Sequence, residues 1–409
     1  MKIRIKRPFV FFVTVCLAYP INAETFLSNG VNYSVTGPGT VVVASSADAS
    51  GNLVVPSTVI YGATDYSVTG ISDSAFMASS GLTDVTIQAP ISSIGNDAFA
   101  YCFHLATLSF PSTVVSIGAG AFGGCVSLKK VFIPASVASI GCGAFRGCSD
   151  SINVDGNNAC YSSYNGILYN KQQTVLMQCP TARRGQFNVP ASVTTIDGDA
   201  FWRCNLTTIT LPETVSSIGY GAFAFCEKLN SMALSPVTTI RVNTFLGCSA
   251  LVNMTIPSSV AKMEDGAFWN CTSLKNIHSY AVKPPVLSDT TSFYNVNKGS
   301  AFIYVPSDSK EAYMAAVGWK NFANITAEFT SVGRTLSGIK MYYDRFSKSV
   351  CIDGCHNGCH VTIYDMNGKI CLTETIQEHV PLSFKGFLHG VYLMKIDSQT
   401  GIVSEKISL

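Results

Sequence analysis

The densest group of residues that could do chemistry lies near the C-terminus, where residues 351–360 read CIDGCHNGCH. Cysteine and histidine are common zinc ligands, and Cys-x-x-x-Cys-His is one residue longer than the spacing that attaches c-type haem. Asn-Gly is also a hairpin turn signal, so a disulfide across a hairpin tip or a set of free thiols is the interpretation we favour. Zinc and haem stay open, with Cys355, His356, Cys359 and His360 as the candidate ligands.

A second cysteine series recurs in the motif Ala-Phe-x-x-Cys. Its cysteines are Cys102, Cys125, Cys148, Cys204, Cys226, Cys248 and Cys271, and Thr244 replaces the alanine in the copy that ends at Cys248. Successive copies start 22 or 23 residues apart, except for one step of 56 residues between Ala144 and Ala200. A fixed period in the low twenties predicts a solenoid whose coils bury their apolar faces against each other. Equivalent positions then form ladders with a spacing of about 4.8 Å, so we expect these cysteines to be buried structural thiols.

One coil, LKKVFIPASVASIGCGAFRGC (128–148), shows how each repeat divides. Leu128, Val131 and Ile133 have the spacing of a half-buried strand, and Pro134 ends it because proline donates no ladder hydrogen bond. The Val-x-x-Ile-Gly segment predicts a second short extended piece. Ala-Phe-x-x-Cys predicts a single helical or 3₁₀ turn on the opposite wall.

The complete pattern, with eight copies between about residues 60 and 330, resembles the BspA-type leucine-rich-repeat family of bacterial and protist surface proteins. Residues 158–190 resemble the longer, hairpin-bearing coil that such proteins insert, and residues 283–325 resemble their closing module. The predicted fold class is therefore mainly β with short helical turns. We expect a leucine-rich-repeat-like solenoid of 22–23-residue coils, followed by a small C-terminal β-sandwich.

The two ends of the chain indicate export. MKIRIKR, a short apolar run and a small residue at Ala23 have the order of a secretory signal peptide. Near the C-terminus, YDMNGK (364–369) together with GVYLMKI (390–396) resembles the sorting domain of type IX secretion in Bacteroidota, which implies surface anchoring through this domain. We therefore expect a secreted or cell-surface protein at the exterior of the outer membrane.

These observations predict six segments. They are a signal peptide (1–23), an N-terminal β cap (24–70), the repeats (71–282) with an irregular inserted coil (152–192), a C-terminal cap (283–329), a linker (330–337) and a β-sandwich sorting domain (338–409).

The sequence offers no support for catalysis. It contains no G-x-S-x-G elbow, H-E-x-x-H pair or phosphate-cradling loop. We expect His104 to lie on the surface, and Asp97 and Asp199 to cap the short turns. A formal net charge of +2 with 13% charged residues creates no field that would attract nucleic acid. We therefore predict a non-enzymatic protein without cofactor, nucleic-acid partner or transmembrane segment.

A solenoid offers an extended strand face for binding. The outward positions between the two apolar strand residues are Thr86, Ser109, Phe132, Asn153, Thr210, Ala233, Thr255 and His278. Most are small and neutral, but Lys129, Lys130 and Phe132 place two cations beside an aromatic ring, a combination related to interface hot spots. Together with the family resemblance, this predicts an adhesin-like protein for host matrix proteins, glycans or other cells.

Two alternatives remain open for the function. A surface glycan-capture component would use exposed aromatic platforms, for which Trp202 and Trp269 on the convex wall are the candidates. A metal- or haem-binding protein would instead act through residues 351–360.

Overall fold

The computed structural model describes residues 24–289, 291–329, 340–344, 349–353, 358–376, 382–384, 387, 391–398 and 401–408. This part of the chain is almost entirely strand and turn. Its helical content is one short α-helix, α1 (Lys310–Ala315), and two 3₁₀ turns, Ser307–Ser309 and Trp319–Asn321.

Six strands form the front of the molecule. They are β1 (Thr25–Ser28), β2 (Val31–Gly37), β3 (Thr40–Val43), β4 (Gly51–Val55), β5 (Thr58–Tyr61) and β6 (Thr64–Ile71). Strands β1 to β3 form an antiparallel meander, and β3 then pairs in parallel with β6. Phe26 stacks on Tyr61 with ring centroids 4.3 Å apart, and both Phe26 and Tyr33 are buried. Apolar side chains of these strands thus cover the first coil of the solenoid.

The first run of coils alternates longer and two-residue strands. These are β7 (Leu82–Ile87), β8 (Ser93–Ile94), β9 (Thr107–Ser109), β10 (Ser116–Ile117), β11 (Lys130–Ile133), β12 (Ser139–Ile140) and β13 (Ser151–Val154). On one side, which we call the strand wall, β4 pairs in parallel with β7, β7 with β9, and β11 with β13. The two-residue strands stack in parallel with β6 along a second side. The Ala-Phe-x-x-Cys segments form a third side, the turn wall.

The irregular coil carries a hairpin that separates two apolar cores. Its strands are β14 (Tyr161–Tyr164), β15 (Ile167–Asn170), β16 (Val175–Gln178) and β17 (Arg184–Asn188). The front core contains the apolar side chains of the N-terminal strands and the first run of coils, and the rear core contains those of the second run and the closing module. Leu168 packs in the front core, whereas its neighbours Ile167 and Tyr169 pack in the rear core. Because side chains alternate along a strand, β15 joins the two cores, one on each of its faces.

The second run of coils leads to the closing module. Its strands are β18 (Thr195–Ile196), β19 (Asn205–Thr210), β20 (Ser217–Ile218), β21 (Ser231–Ala233), β22 (Thr239–Ile240), β23 (Asn253–Ile256), β24 (Lys262–Met263), β25 (Asn276–Ser279), β26 (Val286–Leu287), β27 (Phe302–Pro306) and β28 (Asn324–Phe329). The strand wall continues in the order β17-β19-β21-β23-β25-β27-β28. Trp319 is fully buried behind it, and its indole N–H donates to the Pro285 carbonyl over 2.9 Å. This residue closes the rear core.

The C-terminal region forms a small β-sandwich. Its strands are β29 (Lys340–Asp344), β30 (Ser349–Asp353), β31 (Cys359–Asp365), β32 (Ile370–Ile376), β33 (Leu382–Ser383), β34 (Val391–Ser398) and β35 (Gly401–Ser408). One antiparallel sheet has the order β29-β30-β33 and the other has the order β32-β31-β34-β35. Ile352 from the first sheet and Val361 and Met394 from the second share one buried core. The predicted solenoid-plus-sandwich fold is confirmed.

The turn wall has a more regular backbone than the sequence suggested. Within one segment the Cys102 amide donates to the Phe99 carbonyl three residues earlier, as in a 3₁₀ turn. The Phe99 amide donates instead to the Ala121 carbonyl of the next coil over 2.7 Å. Asp97 and Tyr101 have left-handed backbones, with φ of 51° and 62°. Because of these left-handed residues, every second backbone amide in the segment points towards the neighbouring coil. The turn wall is therefore a ladder of backbone hydrogen bonds between coils, as the strand wall is.

Candidate ligand-binding surface

The repeated cysteines are structural, as predicted. All seven are buried free thiols. Five repeat one contact in which the thiol Sγ donates to the phenylalanine carbonyl of the preceding coil: the Cys102–Phe76, Cys125–Phe99, Cys226–Phe201, Cys248–Phe223 and Cys271–Phe245 pairs, at 3.0–3.1 Å. In the first coil Ser79 takes this place, and its hydroxyl donates to the Ala47 carbonyl. The sequence predicted a small filler; the ladder is also a row of hydrogen-bond donors.

Burial favours the protonated form of several of these thiols, including Cys226. It raises the pKa of Cys102 to about 11 and that of Cys148 to about 12. Because the thiolate is the reactive form of cysteine, Cys102 and Cys148 are unreactive at neutral pH.

The structure describes only part of the C-terminal cysteine–histidine cluster. Cys359 is buried and disulfide-bonded, and a disulfide sulfur is not a thiolate ligand. His360 is exposed, with its Nδ1 atom 3.1 Å from the Thr375 hydroxyl. Cys355 and His356 lie outside the described residues. Within the residues that are described, no three His, Cys, Asp or Glu side chains are arranged to hold a metal ion.

The two tryptophans proposed as platforms are only half-exposed. The Trp202 ring has the guanidinium carbons of Arg146 and Arg203 at 5.9 and 5.4 Å from its centroid. Trp269 packs against Tyr294 with ring centroids 5.1 Å apart. Cation–π contacts of this kind stabilise the turn wall, and they occupy ring surface that a glycan platform would need.

The predicted capping role of Asp199 is wrong. Its backbone is left-handed (φ 55°), and its carboxylate accepts from Arg146 over 2.9 Å across the inserted coil. Burial raises the pKa of Asp199, and the Arg146 guanidinium opposes that shift. Asp97 has the same left-handed backbone in its own coil. A residue with this conformation directs its side chain along the stack, which explains why neither carboxylate is a cap in the predicted sense.

His104 is exposed as predicted, and its ring Nδ1 lies 2.6 Å from the Ser80 carbonyl. His278, in contrast, was expected to point outward to solvent and is buried. Tyr304 of β27 is its register partner, and the two rings stack 4.4 Å apart. The closing module thus covers the last outward position of the repeats.

Lys129, Lys130 and Phe132 lie on the exposed face of the strand wall. Val131 and Ile133 are buried, so alternation along β11 turns the Phe132 ring to solvent, where 57% of the residue is exposed. Both lysines are exposed as well. Neither forms an ion pair with a carboxylate in the described part of the chain.

The inserted coil extends this surface. The Ile152 amide of β13 donates to the Gly166 carbonyl at the hairpin tip over 2.9 Å, and β13 pairs in register with β11. At the same tip Tyr164 is 58% exposed, and Arg183 donates to the Asn165 carbonyl.

Arg184 is exposed where β17 begins. These segments provide six basic or aromatic residues that are exposed or half-buried: Lys129, Lys130, Phe132, Tyr164, Arg183 and Arg184. We call them the basic-aromatic patch. The Arg183–Arg184 pair was visible in the sequence, but the contact of Arg183 with the hairpin tip depends on how the hairpin packs.

Comparison with known families supports both parts of the fold. The family model "BspA type Leucine rich repeat region" matches residues 69–183 and 177–296 in six copies. The model "Secretion system C-terminal sorting domain" matches residues 346–409. No curated protein matches the chain.

Two solved structures align with about three quarters of this chain. The pneumococcal vaccine antigen PcpA aligns over 75% of this chain and 99% of its own, with a TM-score of 0.56 and 17% identity. A leucine-rich cell-surface protein of Faecalibacterium prausnitzii A2-165 aligns over 76% of this chain and 100% of its own, with a TM-score of 0.47 and 21% identity. At this level of identity, the likeness to PcpA establishes the fold alone.

Proposed function

Because the chain belongs to the BspA-type leucine-rich-repeat family and ends in a secretion sorting domain, it is an exported surface protein. We propose that it acts as an adhesin-like binding protein without catalytic activity, and that the basic-aromatic patch on its strand wall binds a host-derived protein or glycan. No helix of the described chain is long and apolar enough to cross a membrane. We propose that the C-terminal sorting domain (346–409) attaches the protein to the cell surface.

The exposure of Phe132 carries this proposal. Elsewhere in the repeats the equivalent outward residue is Thr, Ser, Asn or Ala, or, at His278, is covered by a neighbouring ring. The Phe132 residue is 57% exposed. When a partner covers this ring, burial of its apolar surface favours binding by about 25 cal/mol per Å². A ligand that covers the Phe132 ring would remove this apolar area from water.

The cations around Phe132 suit a partner with anionic or carbonyl-rich groups. The exposed Lys129, Lys130 and Arg184 have no carboxylate partner among the described side chains, so a ligand would not have to break an existing ion pair. Arginine additionally binds carboxylate or sulfate groups in a bidentate manner. Charge and exposed aromatic surface therefore favour the same stretch of the wall.

The test is a binding measurement on the chain from Glu24 to Leu409 against immobilised matrix proteins and glycans. We expect saturable binding that falls by about thirtyfold or more in Lys129→Ala/Lys130→Ala/Phe132→Ala, because a hot-spot residue contributes about 2 kcal/mol or more. Thr207→Ala/Thr208→Ala/Thr210→Ala alters the equivalent three positions of the coil that contains β19, and serves as the matched control.

Both variants must retain the melting temperature of the parent protein. Equal loss in the two triple variants would reject the patch as the binding site. Binding to a glycan that survives the patch variant would instead favour the Trp202 side of the turn wall. Arg184→Ala and Tyr164→Ala then test whether the inserted coil belongs to the same surface.

A further inference from the structure

The front third of the solenoid has an unusual charge distribution. Residues 24–128 contain no lysine or arginine. Their carboxylates are Glu24, Asp48, Asp65, Asp73, Asp84 and Asp97. Residues 129–329 instead contain fifteen Lys or Arg and twelve Asp or Glu. With His104 counted as neutral, the front of the solenoid (24–128) has a formal charge of −6 and no basic residue. The rest of the solenoid (129–329) has a small positive formal charge.

Within this block, β4 is the edge strand of the strand wall. The Gly51 amide donates to Gly81, and the Val55 carbonyl accepts from Gln88, so these residues face β7. In a parallel pair the intervening residues point their backbone groups the other way. The N–H and C=O groups of Asn52 and Val54 therefore face away from β7, and neither residue makes another backbone hydrogen bond within the described chain.

A groove runs along this free edge. It has a volume of about 490 Å³ between β4 and the turn that joins β1 to β2. Its buried lining includes Val31, Tyr33 and Leu53. Asn29, Asp48 and Asn52 are exposed members of the same lining. The groove thus combines an apolar floor with a polar, acidic rim.

The edge also lacks the usual protection against strand addition. Proteins commonly block an exposed edge with lysine, proline, an inward charge or a bulge that twists the strand away. Strand β4 reads GNLVV, without a charged residue or proline, and Val54 is 42% exposed. The pairing with β7 is irregular only at Gly51/Asn52, at the beginning of the strand.

We propose that the free edge of β4 binds an extended, basic segment of a partner protein as an additional strand. Backbone hydrogen bonds to Asn52 and Val54 would supply affinity, and pockets for alternate side chains would supply selectivity. Asp48 on the rim and Asp84, the register partner of Asn52, would attract Lys or Arg side chains. The hydroxyls of Thr107 and Thr83 lower the pKa of Asp84 and keep it charged. This interface is separate from the basic-aromatic patch, which would repel the same peptide.

The probes are two fluorescein-labelled peptides, Gly-Lys-Val-Lys-Val-Lys-Val-Gly and its glutamate counterpart, titrated with the chain from Glu24 to Leu409. We expect the fluorescence anisotropy of the lysine peptide to rise to saturation as protein is added. The glutamate peptide should bind at least about tenfold more weakly. Raising the salt concentration should weaken the lysine complex, because exposed charges are screened.

Val54→Pro tests the strand geometry. It removes the edge amide at a position where proline is tolerated, because this N–H does not face β7. We expect at least about tenfold weaker binding of the lysine peptide, the scale of a lost hydrogen bond plus a steric mismatch. Val54→Thr keeps the amide and the β-branch, and should bind as the parent does. Asp48→Lys changes only an exposed rim side chain and should weaken binding about fivefold or more, even if Val54→Pro proves unstable.

Three results would overturn the proposal. The first is equal affinity for the two peptides, and the second is unchanged binding in both Val54→Pro and Asp48→Lys. The third is concentration-dependent self-association of the chain alone that Val54→Pro abolishes, which would make a second copy the occupant. Loss of peptide binding in the Lys129/Lys130/Phe132 triple variant, with both edge variants unaffected, would also reject the β4 edge.

Discussion

Gly221 faces the carboxylate of Asp199 across adjacent coils of the turn wall. A methyl group at Gly221 would overlap the Asp199 Oδ1 atom, and the Gly221 backbone is left-handed with φ of 57°. The same relation links Asp97 to Gly120 and Asn243 to Gly266. In this column of left-handed residues, Asp97, Asp199 and Asn243 are therefore each followed by a glycine that leaves room for the side chain.

We expect Gly221→Ala to destabilise the protein by about 2–3 kcal/mol, since overpacking and an unfavourable backbone conformation act together. Gly156→Ala is the matched control, because a methyl group added there would have no atom within 4 Å and the φ of Gly156 is not positive. Urea unfolding of both variants measures the difference. Equal stability of the two variants would disprove the steric relation.

The Arg146–Asp199 ion pair joins two coils that are separated by the inserted segment. Its side chains are 22% and 8% exposed, and the Arg146 guanidinium also donates to the Tyr101 hydroxyl over 3.3 Å. Asp199→Ala leaves the largely covered Arg146 guanidinium without its carboxylate, and we expect a loss of up to about 3 kcal/mol. Arg146→Met/Asp199→Asn removes both charges and should cost clearly less.

A double-mutant cycle by chemical denaturation measures this coupling. The exposed pair Lys262–Glu264, with N–O distance of 3.1 Å, is the control and should contribute no more than about 1 kcal/mol. Additive single-variant effects at Arg146 and Asp199 would contradict the assigned role of the pair.

The buried thiols predict sensitivity to alkaline pH. Burial raises the pKa of Cys102 to about 11 and that of Cys148 to about 12, and it raises that of Cys226 as well. In the unfolded chain the pKa of a cysteine thiol is about 8.5. Between the two pKa values the folded state binds more protons, so stability is full below about pH 8.5 and falls as pH rises.

Denaturant unfolding in the presence of a reductant between about pH 7 and pH 10 measures this slope, which for each cysteine approaches about 1.4 kcal/mol per pH unit. Cys226→Ser/Cys248→Ser removes two of the titrating groups and should flatten the alkaline limb. An unchanged slope in that variant would exclude the ladder as the source.

Much of the fold follows from the sequence because the repeat period is local information. The spacing of Leu128, Val131 and Ile133 predicted the buried side of β11, and alternation then exposed Phe132. The burial of His278 could not be predicted in this way, because Tyr304 reaches it from a strand of the closing module. A residue's exposure depends on its neighbours along the stack as well as on its own phase.

The candidate surface was predictable only in part for the same reason. Lys129 and Lys130 belong to a regular coil, so their exposure follows from the repeat. Tyr164 and Arg184 belong to the inserted coil, and their place on the wall depends on the contact of Gly166 with β13. The Arg146–Asp199 pair likewise joins residues 53 positions apart, a separation that no repeat period predicts.

The thiol hydrogen bond of the cysteine ladder leads to a test with two substitutions at one site. The Cys226 Sγ donates to the Phe201 carbonyl over 3.0 Å inside the core. Cys226→Ala removes this donor and leaves a small cavity, so we expect a loss of about 1–2 kcal/mol. Cys226→Ser keeps a donor, as Ser79 does in the first coil, and should be the more stable of the two variants. Thermal and urea unfolding compare them directly. If Cys226→Ala proved the more stable, the ladder cysteines would act as apolar filler alone, and their hydrogen bonds would contribute nothing to the stack.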